Sequence, residues 1–218
     1  MNVIVVGATG RVGQETVQAL VRRGHKVTAA GRDLDKITKS DHVNPVYYNV
    51  NDAVDDLANI IKGHDAVIFT AGSRNEDLLR IDAFGVVQTA EAARRANVRR
   101  FILLGAKWAA YPNSWNRPQI QPAIEKLHEY YIAKFFANNY VMNHPDLDYT
   151  IVEPDQLLET AGTGNIEINN MNPVGSPIPD VAEVLAACVD IDKTIGKVYT
   201  INAGTHPIDD TLNNTGLL

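Results

Sequence analysis

Two groups of residues in this chain have the types and spacing that chemistry requires. Gly7, Gly10 and Gly13 recur at every third position directly after an apolar run. Tyr130 and Lys134 lie four positions apart in a stretch with helical spacing. Residues four apart in a helix share one face, one turn from each other. A backbone-lined anion site and a phenol–ammonium pair are therefore the first candidates for function.

The glycines lie where a strand would turn into a helix. Residues 3–6 form an unbroken β-branched run, which predicts a strand buried on both faces. Residues 14–23 have helical spacing, with Val17, Leu20 and Val21 on one side. A strand, a glycine-rich turn and a helix form the opening of a Rossmann unit, although the spacing here is G-x-x-G-x-x-G rather than G-x-G-x-x-G.

Each glycine has a predicted task in binding a dinucleotide. We expect Gly7 to permit the tight turn, Gly10 to let the backbone approach a diphosphate, and Gly13 to let the helix pack closely on the strand. The free N–H groups of the first helical turn would face the diphosphate, where the helix dipole favours negative charge. The predicted diphosphate loop consists of Gly7, Ala8, Thr9, Gly10, Arg11, Val12 and Gly13. The alternative is a glycine-rich turn without a ligand.

Residues after the predicted second strand indicate which dinucleotide binds. An acidic residue there would hold the ribose 2′-hydroxyl of NAD, whereas an arginine accommodates the 2′-phosphate of NADP. Arg32 follows the strand directly, and Asp33 lies about 20 residues beyond the last glycine, as the NAD acid does. We favour Arg32 as the ligand and NADP as the cofactor, with NAD possible, because Asp33 is a natural N-cap for the helical stretch that follows. Arg11 is a second candidate phosphate contact.

The Tyr–Lys pair belongs to a predicted helix over residues 123–143. Lys134 is the one charge on a stripe that also holds Leu127, Tyr130, Ala137 and Val141. The ammonium would lower the pKa of the phenol and hold the nicotinamide ribose, while the phenol would exchange a proton with a carbonyl or an alcohol. The alternative is structural: Tyr130 packs on a half-buried face, and Lys134 extends its amine to solvent.

Composition narrows the class of protein. The chain of 218 residues has 20 Lys and Arg against 26 Asp and Glu, and this net charge of −6 argues against nucleic acid as a main partner. No apolar run approaches about 18 residues, so we expect no membrane span. The chain starts with a core strand, so we expect no signal peptide and a cytoplasmic location. The single cysteine, Cys188, predicts a buried small hydrophobe rather than a disulfide. We expect no metal, a small-molecule substrate, and a monomer or homodimer.

Strand and helix patterns alternate along the chain. Strands are predicted at residues 3–6, 26–30, 46–50, 65–70, 99–104, 148–152, 165–168 and 197–202, and helices at 14–23, 34–39, 53–61, 76–97, 123–143 and 180–189. This order predicts an α/β protein, a Rossmann-type doubly wound parallel sheet forming one domain over residues 1–218. Residues 155–178 and the C-terminal tail would form a small substrate-side subregion. Ligands in such sheets bind beyond the carboxyl ends of the strands.

Several motifs follow one another in the order and spacing of a known family. They are Val6-Gly-Ala-Thr-Gly-Arg-Val-Gly13, Gly31-Arg32, Arg100-Phe-Ile-Leu-Leu104, Tyr130-x-x-x-Lys134 and Asp148-Tyr-Thr-Ile-Val-Glu-Pro154. Over essentially its whole length, the chain resembles the atypical short-chain dehydrogenase/reductases. Within that group it is most similar to the bacterial NAD(P)-binding oxidoreductases that resemble biliverdin reductase B and are often labelled sugar epimerases.

The resemblance implies further cofactor contacts. Asn49 and Val50 would hold the adenine, Thr70, Ala71 and Gly72 would line the adenosine ribose, and Pro154 to Gln156 would hold the nicotinamide amide. Two departures stand out. The catalytic Ser or Thr that the family has after the fifth strand is replaced by Gly105-Ala106-Lys107, and Ser114 could substitute only if its loop folds back. The family's Arg-Pro-Gly after the sixth strand is Glu153-Pro154-Asp155.

These features predict an NADP-binding reductase that passes hydride to a small carbonyl, quinone or flavin-like acceptor. A flavin-like acceptor requires least of the protein, because the cofactor supplies the chemistry and the protein supplies alignment. A second possibility is a non-catalytic NADP sensor that binds a protein partner, which the missing hydroxyl favours and the intact Tyr130–Lys134 pair opposes. A sugar epimerase or dehydratase is third, because the segment after residue 155 is short for a nucleotide-sugar lobe.

Overall fold

Seven parallel strands form the centre of the computed structural model, which describes residues 1–214. Their order across the sheet is β3-β2-β1-β4-β5-β6-β10, and β8 and β11 extend it antiparallel beyond β10. The strands are β1 (Asn2–Val6), β2 (Lys26–Gly31), β3 (Val43–Tyr47), β4 (Ala66–Phe69), β5 (Arg100–Leu104), β6 (Asp148–Pro154), β7 (Leu157–Leu158), β8 (Asn165–Ile168), β9 (Ser176–Pro177), β10 (Lys197–Ala203) and β11 (His206–Pro207). The order reverses at β1, as it does in a doubly wound sheet. Residues 215–218 of the expected C-terminal tail lie outside the described residues.

Helices cover both faces of the sheet. They are α1 (Arg11–Arg22), α2 (Val54–Ile61), α3 (Gly85–Arg95), α4 (Gln121–Lys126), α5 (His128–Met142), α6 (Ile178–Asp190) and α7 (Ile208–Asn214). The alternating side chains of β1 show the two layers. Val3 and Val5 belong to the core that includes α1 and α6, whereas Ile4 and Val6 belong to the core that includes α2 and α3. This two-sided burial explains the unbroken apolar run at the start of the chain, and it confirms the predicted Rossmann-type sheet.

The third strand lies three residues earlier than predicted. The sequence favoured residues 46–50, but β3 is Val43–Tyr47, paired with β2 alone. Pro45 lies within β3, and an edge strand tolerates proline because, within residues 1–214, one side of its backbone has no partner strand. The shift frees Asn49 and Val50 to continue past the carboxyl end of the sheet.

Two predicted long helices are interrupted. The predicted helix over 76–97 begins as a π-helical segment, Leu78–Phe84, before α3. The predicted helix over 123–143 consists of α4 and α5, separated at Leu127, whose φ of −128° and ψ of 38° are not helical. Leu127 therefore does not continue the stripe of Tyr130 and Lys134. Apolar residues keep their helical spacing across both interruptions. For this reason the sequence predicted two continuous helices.

The segment over 155–178 is mostly irregular, as predicted. It contains β8, which matches its predicted bounds, and a two-stranded parallel ribbon of β7 and β9. Cys188 is fully buried in α6, confirming the predicted role of a small hydrophobe. Within residues 1–214, none of the helices combines the length and apolar character that crossing a membrane requires.

Candidate functional site

A cleft of about 680 Å³ lies at the carboxyl ends of the parallel strands. This volume is within the range of small-molecule sites, about 300–1,000 Å³. Most residues predicted for the cofactor line it, from elements far apart in sequence: Gly7, Thr9, Gly10, Arg11, Val12, Arg32, Asn49, Val50, Thr70, Ala71, Gly72, Tyr130, Lys134 and Pro154. Ala8 and Gly13 do not line the cleft and are buried behind it.

The glycine loop joins β1 to α1 without room for side chains at two positions. Gly7 has a φ of +89°, in the left-handed region that glycine adopts freely, and a Cβ there would collide with the backbone of Ala71. A Cβ on Gly13 would collide with the carbonyl oxygen of Gly7. Close packing of α1 against the end of β1 therefore requires both glycines. Ala8 and Gly13 therefore belong to the packing of the loop against the protein and do not line the cleft.

Gly10 leaves space where a ligand could approach. It is the N-cap of α1, and a Cβ on it would meet only the Gly7 carbonyl oxygen, at 3.3 Å. The first-turn N–H groups of α1 have no partners within the helix, and no acidic side chain lies in that turn. α1 begins at Arg11, three residues earlier than predicted, so Arg11, Val12 and Gly13 are themselves the first turn. A backbone cradle of this kind fits the diphosphate of a dinucleotide.

The cationic side chains at this end of the cleft differ in their surroundings. Arg32 is exposed beside the cleft. Arg11 also lines the cleft, but its guanidinium lies 2.9 Å from the Glu159 carboxylate. Asp33 does not cap a helix with its side chain as predicted, because the following helix is a single 3₁₀ turn, and its carboxylate instead lies 2.9 Å from the Lys36 ammonium. Among the described residues, 1–214, no carboxylate pairs with Arg32.

The Tyr–Lys pair lies at the opposite end of the cleft. Lys134 is buried, and its ammonium donates a hydrogen bond to the carbonyl oxygen of Leu104 at 3.1 Å. Its nitrogen lies 5.7 Å from the centre of the Tyr130 ring. The alternative in which Lys134 extends to solvent is therefore wrong. The ammonium is held at the end of β5, and burial lowers the pKa of Lys134 from its usual value.

The expected lowering of the Tyr130 pKa is also wrong. Burial, reinforced by the Asp82 carboxylate, raises the pKa of Tyr130 instead. Lys134 faces the ring of Tyr130, so its charge does not offset the loss of water around the phenol. Tyr130 is consequently a neutral phenol that can donate a proton to a stronger base.

Comparisons with known proteins give the family of this chain. The family described as NAD(P)H-binding matches residues 7–192, from the glycine loop to beyond α6. The chain belongs to the NAD(P)H-binding family. A curated relative, the uncharacterized sugar epimerase YhfK of Bacillus subtilis, is 29% identical over 97% of this chain and 99% of its own.

Two solved structures are similar to this chain. The crystal structure of the oxidoreductase ylbE from Lactococcus lactis superposes with a TM-score of 0.92 at 34% identity, over 100% of this chain and 96% of that one. The anaerobillin reductase ChuY of Escherichia coli O157:H7 shares the fold, with a TM-score of 0.77 at 22% identity over 92% and 96% of the two chains. The resemblance to NAD(P)-binding Rossmann oxidoreductases is thereby confirmed.

In this NAD(P)H-binding chain, three groups of ionisable side chains in or near the cleft make contacts that the sequence did not predict. The first is Asp82, on the π-helical segment, which lines the cleft and accepts hydrogen bonds from the backbone and hydroxyl of Ser73. The second is the pair of Lys107 and Asp155, joined at 2.8 Å, with both residues lining the cleft. Each pair joins residues on different elements, so spacing along the chain could not predict it.

The third group is Glu153, fully buried at the end of β6. Its Oε1 accepts hydrogen bonds from the Ala110 N–H at 2.7 Å and from the Asn138 side chain at 2.8 Å, and its Oε2 accepts from the Thr200 hydroxyl at 3.3 Å. Burial raises the pKa of Glu153 to about 8, although these donors act in the opposite direction. The departure Glu153-Pro154-Asp155 thus places one acid below the cleft and one beside it.

Ser114 does not supply the hydroxyl that the resemblance implied after β5. Ser114 is buried in the loop over 105–120, where its N–H donates to the carbonyl oxygen of Tyr111 at 2.9 Å. It is absent from the residues lining the cleft. The loop therefore does not fold back as that substitution required. Lys107 is the polar side chain that reaches the cleft from this segment.

Proposed function

We propose that this protein is an NADPH-dependent reductase that passes hydride to a small carbonyl, quinone or flavin-like acceptor. One observation carries the proposal: a single continuous cleft joins the glycine loop to the Tyr130–Lys134 pair. A dinucleotide seated at one end would direct its reactive ring towards the other. Membership of the NAD(P)H-binding family supports a nicotinamide cofactor.

Each part of the cleft has a proposed task. The glycine loop would hold the diphosphate and Arg32 the 2′-phosphate, so NADP is preferred over NAD. Asn49 and Val50 would border the adenine, Thr70 to Gly72 the adenosine ribose, and Pro154 the nicotinamide amide. When bound, NADPH supplies the hydride. Lys134 would hold the nicotinamide ribose, because a buried ammonium with one backbone acceptor can still donate to hydroxyls.

The acceptor would bind at the end of the cleft near Tyr130. Leu127, Tyr130, Tyr131 and Leu157 line it there and offer aromatic and apolar surface. Such a surface suits a flat, mostly apolar acceptor, with few polar groups setting its orientation. Tyr130 would donate the proton that follows the hydride. Residues 155–178 would complete the acceptor side, and we keep a cytoplasmic location and a monomer or homodimer as predictions.

The test is NADPH oxidation, followed by absorbance, with a panel of quinones, flavins, ketones and aldehydes. We expect turnover with at least one acceptor and slower turnover with NADH. The Gly10→Val variant, in which the added side chain blocks the proposed cofactor seat, is the control for background oxidation. Tight NADPH binding without turnover on the whole panel would contradict a reductase.

The second candidate function is a sensor that binds NADP without reacting. It is favoured by Gly105 and Ala106, which supply no hydroxyl where the family has one. Calorimetry with NADP⁺ and NADPH, run beside the acceptor panel, separates the two, since a sensor binds cofactor and turns over nothing. The name of the B. subtilis relative also suggests testing UDP-glucose with NAD⁺, and epimerised product would support the third candidate.

A further inference from the structure

The loop after β5 carries a buried ion pair at the acceptor end of the cleft. Lys107 is 8% exposed, and its ammonium donates to Asp155 Oδ2 at 2.8 Å and to the Asn172 carbonyl oxygen at 3.0 Å. Both charged residues line the cleft. Removing two charges from water is costly, and an apolar pair is often at least as stable. A contribution to stability alone therefore does not explain why Lys107 and Asp155 are paired here.

The backbone around Lys107 is fixed by β6. Trp108 has a φ of 63°, a left-handed conformation that is uncommon for a bulky side chain. The N–H groups of Trp108 and Ala110 both bond to the Glu153 carboxyl, and the Lys107 N–H donates to the Pro154 carbonyl oxygen at 3.0 Å. Together with Asp155, the end of β6 determines where the ammonium lies. Strained backbone of this kind concentrates at functional sites.

We propose that Lys107 replaces the missing hydroxyl and donates a hydrogen bond to the carbonyl oxygen of the acceptor. An ammonium has three N–H donors. Within residues 1–214, two acceptors engage them, Asp155 and the Asn172 carbonyl oxygen. The third donor is available to a molecule in the cleft. This inference rests on the proposed reductase function and names the group that orients its substrate.

Asp155 restricts the class of acceptor. Its carboxylate already neutralises Lys107, so a substrate carboxylate at this point would lie beside a like charge at low dielectric. A neutral carbonyl oxygen meets no such repulsion and accepts the remaining N–H. The pair therefore selects uncharged carbonyl compounds, quinones among them, over acids of the same shape.

The hydrogen bond would strengthen as the reaction proceeds. The carbonyl carbon takes the hydride, the electron pair of its C=O π bond moves to the oxygen, and Tyr130 gives that oxygen a proton, which solvent then restores to Tyr130. Lys107 keeps its hydrogen bond to that oxygen and stabilises the negative charge while it exists. Donors aimed at such an oxygen act mainly on kcat, because the charge is absent from the bound substrate.

The kinetic experiment compares wild type with Lys107→Met on the best neutral acceptor. We expect kcat/KM to fall about 10²–10³-fold, as on loss of an oxyanion donor, with NADPH affinity within about twofold of wild type. Lys62→Met, at an exposed lysine on the far end of α2, is the matched control and should change nothing. Because Lys107→Met leaves Asp155 unpaired, the double variant Lys107→Met with Asp155→Asn guards against misfolding and should show the same loss.

A binding experiment separates this inference from the reductase proposal. Coumarin, an uncharged carbonyl probe, is titrated into the NADP⁺-loaded protein beside coumarin-3-carboxylate. We expect coumarin to bind wild type about tenfold or more tightly than Lys107→Met, and the carboxylate to bind wild type less tightly than coumarin does. Asp155→Asn should reduce that preference. Equal coumarin affinities in wild type and Lys107→Met, or equal kcat/KM values, would overturn the role of Lys107. Failure of every acceptor with normal coumarin discrimination would instead overturn the reductase alone.

Discussion

The ammonium nitrogen of Lys134 faces the ring of Tyr130, 5.7 Å from its centre, and donates to the backbone oxygen of Leu104. The helix pair is therefore not a preformed phenol–ammonium contact. In the part of the chain that the structure describes, this ammonium has one hydrogen-bond acceptor for its three donors, and ribose hydroxyls would supply others. This relationship leads to the first prediction.

Substitutions of Tyr130 and Lys134 should affect different steps. Tyr130→Phe keeps the ring packing, so NADPH affinity should persist while turnover of a carbonyl acceptor falls about 10²–10⁴-fold, the usual contribution of a positioned acid. A quinone or flavin protonated by solvent should lose little. Lys134→Met should weaken cofactor binding. Calorimetry and steady-state kinetics check both variants, and unchanged cofactor affinity in Lys134→Met would remove the lysine from the site.

Arg32 should determine the preference for NADP. A charge-assisted contact to the 2′-phosphate is worth about 1.5–3 kcal/mol, so Arg32→Ala should weaken NADP binding about tenfold or more and leave NAD nearly unchanged. Arg22→Ala, at the distal end of α1, is the control. Calorimetric titration with both dinucleotides measures the effect. Equal losses for NADP and NAD would assign the 2′-phosphate to another group.

Substitutions at two glycines of the loop should have different effects, one on cofactor binding and the other on folding. A Cβ on Gly10 meets only one backbone oxygen, so Gly10→Val should fold while its side chain occupies the place of the diphosphate. A Cβ on Gly13 collides with the Gly7 carbonyl oxygen, so Gly13→Ala should lower the melting temperature whether or not cofactor is present. Thermal melts and calorimetry distinguish the two effects. Normal cofactor binding by folded Gly10→Val would mean that the loop is a turn without a ligand.

Glu153 should make stability depend on pH. Its pKa is raised from about 4.5 to about 8 in the folded protein, so the folded state binds the proton more tightly than the unfolded state. The contribution of protonated Glu153 is complete below about pH 4.5 and is lost as the pH rises through about 8. Glu153→Gln, which does not titrate, should therefore show a flatter decline in unfolding free energy.

Urea unfolding of both proteins between about pH 5 and about 8 measures this difference, because the remaining titrating groups are shared. Parallel curves for wild type and Glu153→Gln would show that the Glu153 pKa is close to its ordinary value. In that case the Ala110, Asn138 and Thr200 donors would outweigh burial.

Much of the fold was predictable because it depends on local patterns. The apolar run over 3–6, the glycines at 7, 10 and 13 and the alternation of strands and helices were enough for a doubly wound sheet with a cleft above β1. The rule that ligands bind beyond the carboxyl ends of parallel strands placed the loops after these strands at one site. The family resemblance supplied Asn49, Thr70 and Pro154 within those loops, and all three line the cleft. Apolar runs, glycine spacing and strand–helix alternation are local patterns, so they can be recognised in the sequence without knowledge of distant contacts.

Tertiary structure decided what depends on contacts between distant residues. The edge position of β3 made Pro45 acceptable, and the backbone at Leu127 and over 78–84 broke helices whose apolar spacing continued. The surroundings of Lys134, Lys107 and Glu153 involve partners up to 65 residues away along the chain. Burial and electrostatics act through space, so the charge state of Tyr130 and the pairing of Lys107 with Asp155 could not be read from spacing. The sequence thus determined which loops meet at the carboxyl ends of the strands, and the packed structure decided which charged groups lie among them.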